Sequence, residues 1–223
     1  MIIRKQFKFE GGHMVRNCSS TRCQYSIHGH SLIVEVFLTS DRFDNGMMVY
    51  DFGLMKGTIN EFIDSFDHTY SLWRYEKTSV SSFIKEHSAR WIEMPISPSA
   101  EGYALFFLYW IDKILSKTEK VNGEGNVKVR SVRVHETATG YAEAFVEDLV
   151  AYNNDPKAIP LAEVAFSEGV QEEWKELTME DLHKAAYANE LVWTNKHIEP
   201  VVTAPSGVVN VQLASNVDER GTV

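Results

Sequence analysis

Two histidines and a cysteine that lie close together in the sequence carry the first chemical signal. Histidines at positions i and i+2 of a β-strand project from the same face, so His28 and His30 could bind one metal ion. Three neutral imidazoles with an open fourth position are typical of a catalytic zinc site. His13 is the natural third ligand, because it ends another stretch with strand character. On spacing alone, a coincidental His-x-His pair with His13 in a polar loop is about equally well supported.

Cys23 lies five residues before His28. A thiol near a metal and an imidazole can lose its proton at neutral pH and act as a base or nucleophile. Three alternatives stay open. Cys23 could be a small buried apolar side chain, which is the commoner role of a free cysteine. Cys18 could take the chemical role instead, or one of the two thiolates could itself be a zinc ligand.

Asp67-His68 and Glu136-Thr137 are the other motifs with chemical potential. A carboxylate beside an imidazole can fix its tautomer and raise its basicity. Adjacent residues of a helix do not face each other, so an Asp67–His68 contact requires the chain to have left its helix; a solvated helix-end pair is the alternative. Glu136 follows a strand and could accept two parallel N–H bonds from the guanidine-like edge of a heterocycle. Considered alone, it is a charge at a strand end.

Strands must position the histidines. Residues 2–13 alternate, so that Phe7, Phe9 and His13 share one face, and residues 28–40 have strong β propensity. Asn45-Gly46 predicts a hairpin turn. The remaining predicted strands are residues 47–52 and the hairpin of residues 126–137 with 141–147.

Two helices are expected between these strands. One runs from about Leu54 to Phe66 with Asp51 as its cap, and the other follows a Ser97 cap with Pro98 in its first turn. Residues 71–96 form an insert with a short helix around 81–87. Helices grouped between strand pairs, rather than alternating singly with strands, indicate an α+β fold.

After residue 152 the composition changes. Residues 153–223 carry twelve acidic and five basic side chains and so hold most of the net charge of −9. A helix is predicted from Thr178 to about Leu191, and the last 20 residues read as a strand with a frayed end or as disorder. His183 and His197 are isolated, so a solubilising extension is favoured over a second catalytic site.

Composition limits the class of protein. The 223 residues suffice for one domain with an appendage, and the acidic balance argues against general nucleic-acid binding. No apolar run is long enough to span a bilayer, and the first residues lack the apolar core of a signal peptide. With only Cys18 and Cys23, we expect a cytoplasmic protein with free thiols, no membrane association and no nucleic-acid partner.

Taken in order, the motifs resemble the 6-pyruvoyltetrahydropterin synthase / 6-carboxytetrahydropterin synthase (QueD) family. Each motif is weak alone, but the ordered set over residues 3–147 is specific. The motifs are Phe9 with His13, Cys23 with His28-Gly29-His30, Gly46-Met47 with Val49 and Asp51-Phe52, Asp67-His68, Pro98-Ser99-Ala100-Glu101, and Glu136-Thr137.

The resemblance implies the tunnelling fold, a four-stranded antiparallel sheet with two helices on one face. Residues 1–152 would form this domain, with the insert 71–96, and residues 153–223 would be an acidic C-terminal extension. Such subunits assemble as a trimer or a dimer of trimers, with active sites between subunits. The family's zinc ligands correspond to His13, His28 and His30.

The resemblance also implies residue roles. Cys23 corresponds to the general base, Asp67 and His68 to the pair that supports proton transfer, and Glu136 to the residue that holds the pterin. Thr137 and Glu101 belong to the same motifs and are expected to bind substrate.

The implied substrate is 7,8-dihydroneopterin triphosphate. In the QueD branch it yields 6-carboxy-5,6,7,8-tetrahydropterin, acetaldehyde and triphosphate, toward queuosine and other 7-deazaguanines. A 6-pyruvoyltetrahydropterin synthase or a folate-branch pterin aldolase is the enzymatic alternative, and a pterin-binding tunnelling-fold protein without turnover is the non-enzymatic one. Departures from the family pattern are the five-residue Cys-to-His spacing, Ser99 where many members have Thr, the insert and the extension.

Overall fold

The computed structural model describes residues 1–195, so the predicted final strand or disordered end and His197 lie outside the described residues. Its strands are β1 (Ile2–His13), β2 (His28–Thr39), β3 (Thr69–Trp73), β4 (Trp91–Met94), β5 (Thr118–Glu119), β6 (Lys128–His135), β7 (Tyr141–Phe145), β8 (Ala165–Phe166) and β9 (Trp193–Thr194). Its helices are α1 (Thr21–Tyr25), α2 (Thr58–Asp64), α3 (Thr78–His87), α4 (Ala100–Ser116), α5 (Val146–Asn154), α6 (Glu168–Gln171) and α7 (Met179–Tyr187). A 3₁₀ turn, Leu54–Lys56, precedes α2.

One mixed sheet runs through the molecule in the order β7-β6-β2-β1-β3-β4-β8. The four strands β7, β6, β2 and β1 are antiparallel neighbours and confirm the predicted sheet, with α2 and α4 packed on it. Among the described residues the sheet is larger than the predicted four strands, because β3, β4 and β8 extend it to seven. β3 pairs parallel with β1, β4 pairs parallel with β3, and β8 adds antiparallel to β4.

The alternation predicted for the first two long strands holds. Phe7 and Phe9 of β1 and Val34 and Val36 of β2 are buried in the main core, beneath α4. Because side chains of a strand alternate between its faces, the same register that buries these residues also fixes the face of the histidines further along.

The predicted strand at residues 47–52 is wrong. The Asp44 carboxylate accepts hydrogen bonds from the backbone N–H groups of Gly46 and Met48, both at 2.8 Å, and Met47 has a φ of +62°. In this turn the Asp44 side chain accepts from backbone N–H groups that, in a strand, would donate to the carbonyls of a neighbouring strand. The stretch therefore forms a loop, although its β propensity is high.

The two predicted central helices exist with different starts. The first is divided at Gly57 into the 3₁₀ turn and α2, and Asp51 accepts a hydrogen bond from Gly53 N–H rather than capping α2. The second is capped by Ser99, not Ser97, since the Ser99 hydroxyl accepts from Gly102 N–H at 3.2 Å.

The insert carries more structure than the sequence indicated. Its predicted short helix is confirmed as α3, but β3 and β4 were not predicted. A small apolar cluster, separate from the main core, holds the insert against the end of β1; it consists of Met14, Tyr70, Leu72 and Ile84.

The segment after residue 152 packs onto the domain as far as the described residues extend. Helix α5 crosses residue 152 without a break, and Phe166, Val170 and Leu182 join the main core. The Trp174 indole N–H donates to the Ser65 hydroxyl at 2.8 Å. The predicted helix after Thr178 is confirmed as α7, which Thr178 caps. Up to residue 195 this segment therefore contributes core as well as acidic surface; the domain boundary itself stays a prediction.

Candidate metal and catalytic site

The three histidines predicted as metal ligands lie together at the ends of two paired strands. His13 is the register partner of His28 between β1 and β2, and Gly11 is the partner of His30. The imidazole centroids are 4.6 Å apart for His13–His28 and 5.2 Å apart for the other two pairs. One ligand atom from each residue lies within 4.8 Å of the others.

The glycine between the two β2 histidines allows the strands to approach this closely. A Cβ atom at Gly29 would lie 2.7 Å from the Gly11 carbonyl oxygen, which is part of the backbone and could not move away cheaply. The His-Gly-His motif therefore has a steric reason for its middle residue.

Backbone carbonyls orient two of the three imidazoles. The Nδ1–H of His13 donates to the Pro98 carbonyl at 2.6 Å, and that of His28 donates to the Ser26 carbonyl at 2.9 Å. The Nε2 atom of each of these two rings is buried and has no hydrogen-bond partner among residues 1–195. Buried polar atoms without partners are unusual, and metal-binding histidines are held by such contacts at the other ring nitrogen.

The charge state of His13 also suits a metal. Burial, together with the neighbouring His28 and His30, lowers its pKa to about 4, against the opposing effect of the Pro98 hydrogen bond. The imidazole is therefore neutral near pH 7, which is the form that binds a cation. Three imidazoles that present ring nitrogens to one space are a ligand set that fits a divalent cation such as zinc.

Cys23 lies on α1, in the connection between β1 and β2. Its backbone carbonyl accepts a hydrogen bond from the Val15 N–H at 3.0 Å. This contact joins the segment of Cys23 to the chain two residues after His13. Both cysteines are free and partly exposed, and the thiol of Cys18 turns back to the Ser20 carbonyl at 3.2 Å. The role of each thiol stays a prediction.

Asp67 and His68 form the contact that the sequence left open. Helix α2 ends at Asp64, and His68 has a φ of +53°, so the chain has left the helix at this pair. The Asp67 carboxylate meets His68 Nδ1 at 2.7 Å and accepts from the Glu10 N–H at 2.7 Å. Burial raises the pKa of Asp67, but these two hydrogen bonds outweigh burial and hold the pKa below its usual value.

His68 shares a cavity of about 400 Å³ with His28 and His30. The cavity places one member of the predicted proton-transfer pair beside two of the three predicted metal ligands within one subunit. The His68 side chain is 75% exposed, so most of its surface is free in the isolated subunit.

The Glu136 carboxylate lies beside the histidine cluster. Its Oε1 atom lies 3.6 Å from His13 Nε2 and 3.9 Å from His30 Nε2. Thr137 is exposed on the turn after β6, and Glu101 is exposed on the first turn of α4. The structure therefore brings Glu136 to the histidines, and it shows Thr137 and Glu101 on the surface.

The sequence did not reveal the groups that support His13. Pro98 acts through its carbonyl, and the ring of Tyr103 lies nearly parallel to the His13 ring with centroids 6.1 Å apart. In the sequence, nothing distinguishes Tyr103 from the other residues that α4 buries. The contact of Tyr103 with the His13 ring could have been inferred only by knowing that α4 starts beneath the ends of β1 and β2.

The fold and the histidine cluster together define an α+β protein with a site suited to a divalent cation. The model of the 6-pyruvoyl tetrahydropterin synthase family matches residues 2–147. This chain belongs to that family.

Curated relatives share most of the chain. The 6-carboxy-5,6,7,8-tetrahydropterin synthase of Helicobacter pylori strain J99 is 47% identical over 177 residues, which cover 78% of this chain and 86% of the relative. The enzyme of the same name from strain 26695 is 41% identical over 212 residues, covering 92% and 100%. The second alignment reaches well into the segment after residue 152.

A solved structure has the same fold. An uncharacterized protein from Wolinella succinogenes superimposes with a TM-score of 0.50 at 20% identity, covering 65% of this chain and 97% of that chain. At this identity the likeness concerns the fold alone. Among the described residues, no helix has both the length and the apolar character to cross a membrane.

Proposed function

We propose that the protein is a zinc-dependent 6-carboxy-5,6,7,8-tetrahydropterin synthase. It would convert 7,8-dihydroneopterin triphosphate and one water molecule to 6-carboxytetrahydropterin, acetaldehyde and triphosphate. The observation that carries the proposal is the cluster of His13, His28 and His30, in a chain 47% identical to an enzyme of that name. Two of its Nε2 atoms have no hydrogen-bond partner within residues 1–195. A 6-pyruvoyltetrahydropterin synthase would use the same histidine cluster, so the name of the 47% identical relative is what favours the carboxy product over this alternative.

The three histidines would hold the ion, with His13 and His28 fixed in their tautomers by carbonyls. A zinc ion bound there would supply Lewis-acid polarisation of the hydroxyls on the substrate side chain. Burial of His13 keeps its imidazole neutral and thus available over the physiological pH range.

Protons would be moved by a thiol and an imidazole of the protein. Cys23 is proposed as the base, and His68 as its partner in proton transfer. Asp67 would fix His68 with its proton on Nδ1, because the carboxylate accepts there at 2.7 Å. This leaves His68 Nε2 as the atom that exchanges protons with substrate.

Glu136 would accept the paired N–H groups of the pterin's guanidine edge, with Thr137 and Glu101 as further substrate contacts. A carboxylate that accepts two parallel hydrogen bonds gives orientation as well as affinity. Its position beside the histidines supports this role, because the reacting side chain of the pterin would then lie toward the metal site.

The enzyme would work in queuosine and 7-deazaguanine biosynthesis, in the cytoplasm, as a trimer or dimer of trimers. Active sites between subunits are supported by the exposure of His68, which a neighbouring subunit could cover.

A product assay with parallel metal analysis tests the proposal. Purified protein is incubated with 7,8-dihydroneopterin triphosphate, and zinc, acetaldehyde and pterin products are measured. We expect about one zinc per subunit and equal amounts of acetaldehyde and 6-carboxytetrahydropterin. Triphosphate release without acetaldehyde would point instead to a 6-pyruvoyl product, and tight pterin binding without turnover would point to a binding protein.

A further inference from the structure

We infer that Glu76, on the loop after β3, is a positioning residue for the Cys23 segment and acts through Arg16. The inference rests on the proposed function, since it concerns the residue proposed as the base. It assigns a purpose to the insert of residues 71–96, from which Glu76 comes.

The segment that carries Cys23 has little packing of its own. Helix α1 is five residues long and contains no buried residue. Such a helix is marginal without outside contacts, because short helices gain most of their stability from tertiary packing. Its position must therefore come from hydrogen bonds to neighbouring elements.

Two consecutive residues after β1 provide those hydrogen bonds. The Val15 N–H donates to the Cys23 carbonyl at 3.0 Å, and the Arg16 Nη1 donates to the Gln24 carbonyl at 2.5 Å. The carbonyls of Cys23 and of the next residue are thus both tied to the end of the strand that bears His13. The first contact is made by the backbone, whereas the second depends on where the Arg16 side chain points.

Glu76 determines where Arg16 points. The Arg16 Nε donates to Glu76 Oε2 at 2.8 Å, and the Lys77 N–H donates to Glu76 Oε1 at 2.8 Å. The side chains of Arg16 and Glu76 are only 14% and 4% exposed. A charge-assisted pair with little exposure has a defined geometry, unlike a solvated surface pair.

The insert is itself anchored where it meets β1. Met14 packs with Tyr70, just before the insert, and with Leu72 and Ile84, which lie on either side of Glu76 within it. Residues 13–16 therefore carry, in order, a proposed ligand, an apolar anchor and two donors to the Cys23 segment. The insert therefore contacts the chain just after the proposed metal ligand His13 and, through Glu76 and Arg16, fixes the position of the segment that carries the proposed base.

Replacing the carboxylate tests the inference. In Glu76→Gln the amide keeps the shape but loses the charge-assisted pair, so Arg16 is no longer directed at the Gln24 carbonyl. We expect kcat to fall about 10- to 100-fold, as small misplacements of catalytic groups do. KM and zinc content should be little changed, and hydrogen exchange at the Val15 amide should be faster. Glu76→Asp should recover part of the loss.

Glu93→Gln is the matched control. Glu93 also lies in the insert and pairs with Lys85 at 2.7 Å, but these contacts do not reach α1. Equal losses in the two variants, unchanged kcat in Glu76→Gln, or a rise in KM alone would overturn the inference. If Glu76→Gln does not fold, the inference is tested with Glu76→Asp and Arg16→Lys, by the same measurements of kcat, KM, zinc content and hydrogen exchange at the Val15 amide. Hydrogen exchange needs no turnover, so a failure of the proposed activity is distinguishable from a failure of the positioning role.

Discussion

His13 and His28 are direct partners across β1 and β2, and each donates its Nδ1–H to a backbone carbonyl. The pairing sets the distance between the imidazoles, and the carbonyls set their orientation. Both rings thus present Nε2 to one space without any side chain having to move. This preorganisation is what a tightly held metal ion requires.

Removing a ligand should release the metal. We expect His13→Ala and His28→Ala to weaken zinc binding by at least tenfold, because a three-ligand site would lose one of its ligands. Zinc per subunit after dialysis against a chelator, measured by atomic emission, checks this. His183→Ala, on the exposed side of α7, is the control and should keep its zinc. Full zinc retention in His13→Ala would contradict the assigned ligands.

Cys23 and Cys18 can be separated by substitution. We expect Cys23→Ala to reduce kcat by about 10²- to 10⁴-fold, which is the usual contribution of a positioned acid or base. Zinc content should be unchanged, since the histidines are the ligands. Cys18→Ala, whose thiol turns back to Ser20, should retain activity. Zinc loss in Cys23→Ala would make Cys23 a ligand, and the reverse pattern of activity would make Cys18 the base.

The histidine cluster was predictable because it follows from strand periodicity. Alternation in residues 2–13 and 28–40 places His13, His28 and His30 on the core side of neighbouring strands, as observed. The register that pairs His13 with His28 could not be predicted from the sequence, because it depends on the conformation of the long connection between the two strands. The supporting carbonyl of Pro98 comes from 85 residues away, and no local pattern predicts such a contact.

Tertiary context explains what the sequence did not predict. β3 and β4 have five and four residues, too few to show an alternation. β3 becomes a strand by pairing with the edge of β1, and β4 by pairing with β3. In the segment after residue 152, abundant acids concealed widely spaced apolar residues such as Phe166 and Leu182, which the fold collects into the core.

Glu136 lies close enough to the histidines that its role needs a direct test. We expect Glu136→Gln to raise the KM for the pterin about 10- to 100-fold, the equivalent of one hydrogen bond to a charged group, with zinc retained. Steady-state kinetics and metal analysis on the same preparation check this. Glu86→Gln, on the exposed side of α3, should behave as wild type. Zinc loss would show Glu136 to be a ligand, consistent with its 3.6 Å distance from His13 Nε2.

A buried carboxylate on the other face of the sheet should make stability depend on pH. Glu35 is 3% exposed and pairs with Arg4, with Arg133 at 3.4 Å and with His135 at 3.0 Å. Burial raises the pKa of Glu35, but the His135 hydrogen bond and the charges of Arg4, His135 and Arg133 outweigh it, so the folded-state pKa lies below 4.5. The ionised form therefore stabilises the fold.

The stabilisation by Glu35 should be complete above its ordinary pKa of 4.5 and be lost as the pH falls through the lower folded-state value. At pH 7 we expect Glu35→Gln to lower the free energy of unfolding by about 1–3 kcal/mol, since its partners are partly solvated. Urea unfolding of wild type and Glu35→Gln between pH 3 and 7 measures the free energy of unfolding of each. The difference between these two free energies should shrink toward the acid end. A constant difference at every pH would contradict the assignment.

Phe166 tests whether the segment after residue 152 is part of the structural core. Its ring lies 6.0 Å from that of Phe62 in α2 and 5.1 Å from that of Trp174, and it is 4% exposed. We expect Phe166→Ala to lower the free energy of unfolding by about 3–5 kcal/mol, through lost burial and the cavity it leaves. Tyr187→Ala, which removes a ring that is 60% exposed, should cost far less. Equal, small losses in thermal and urea unfolding would mean that this segment is a surface appendage, and the acidic residues alone would then account for its presence.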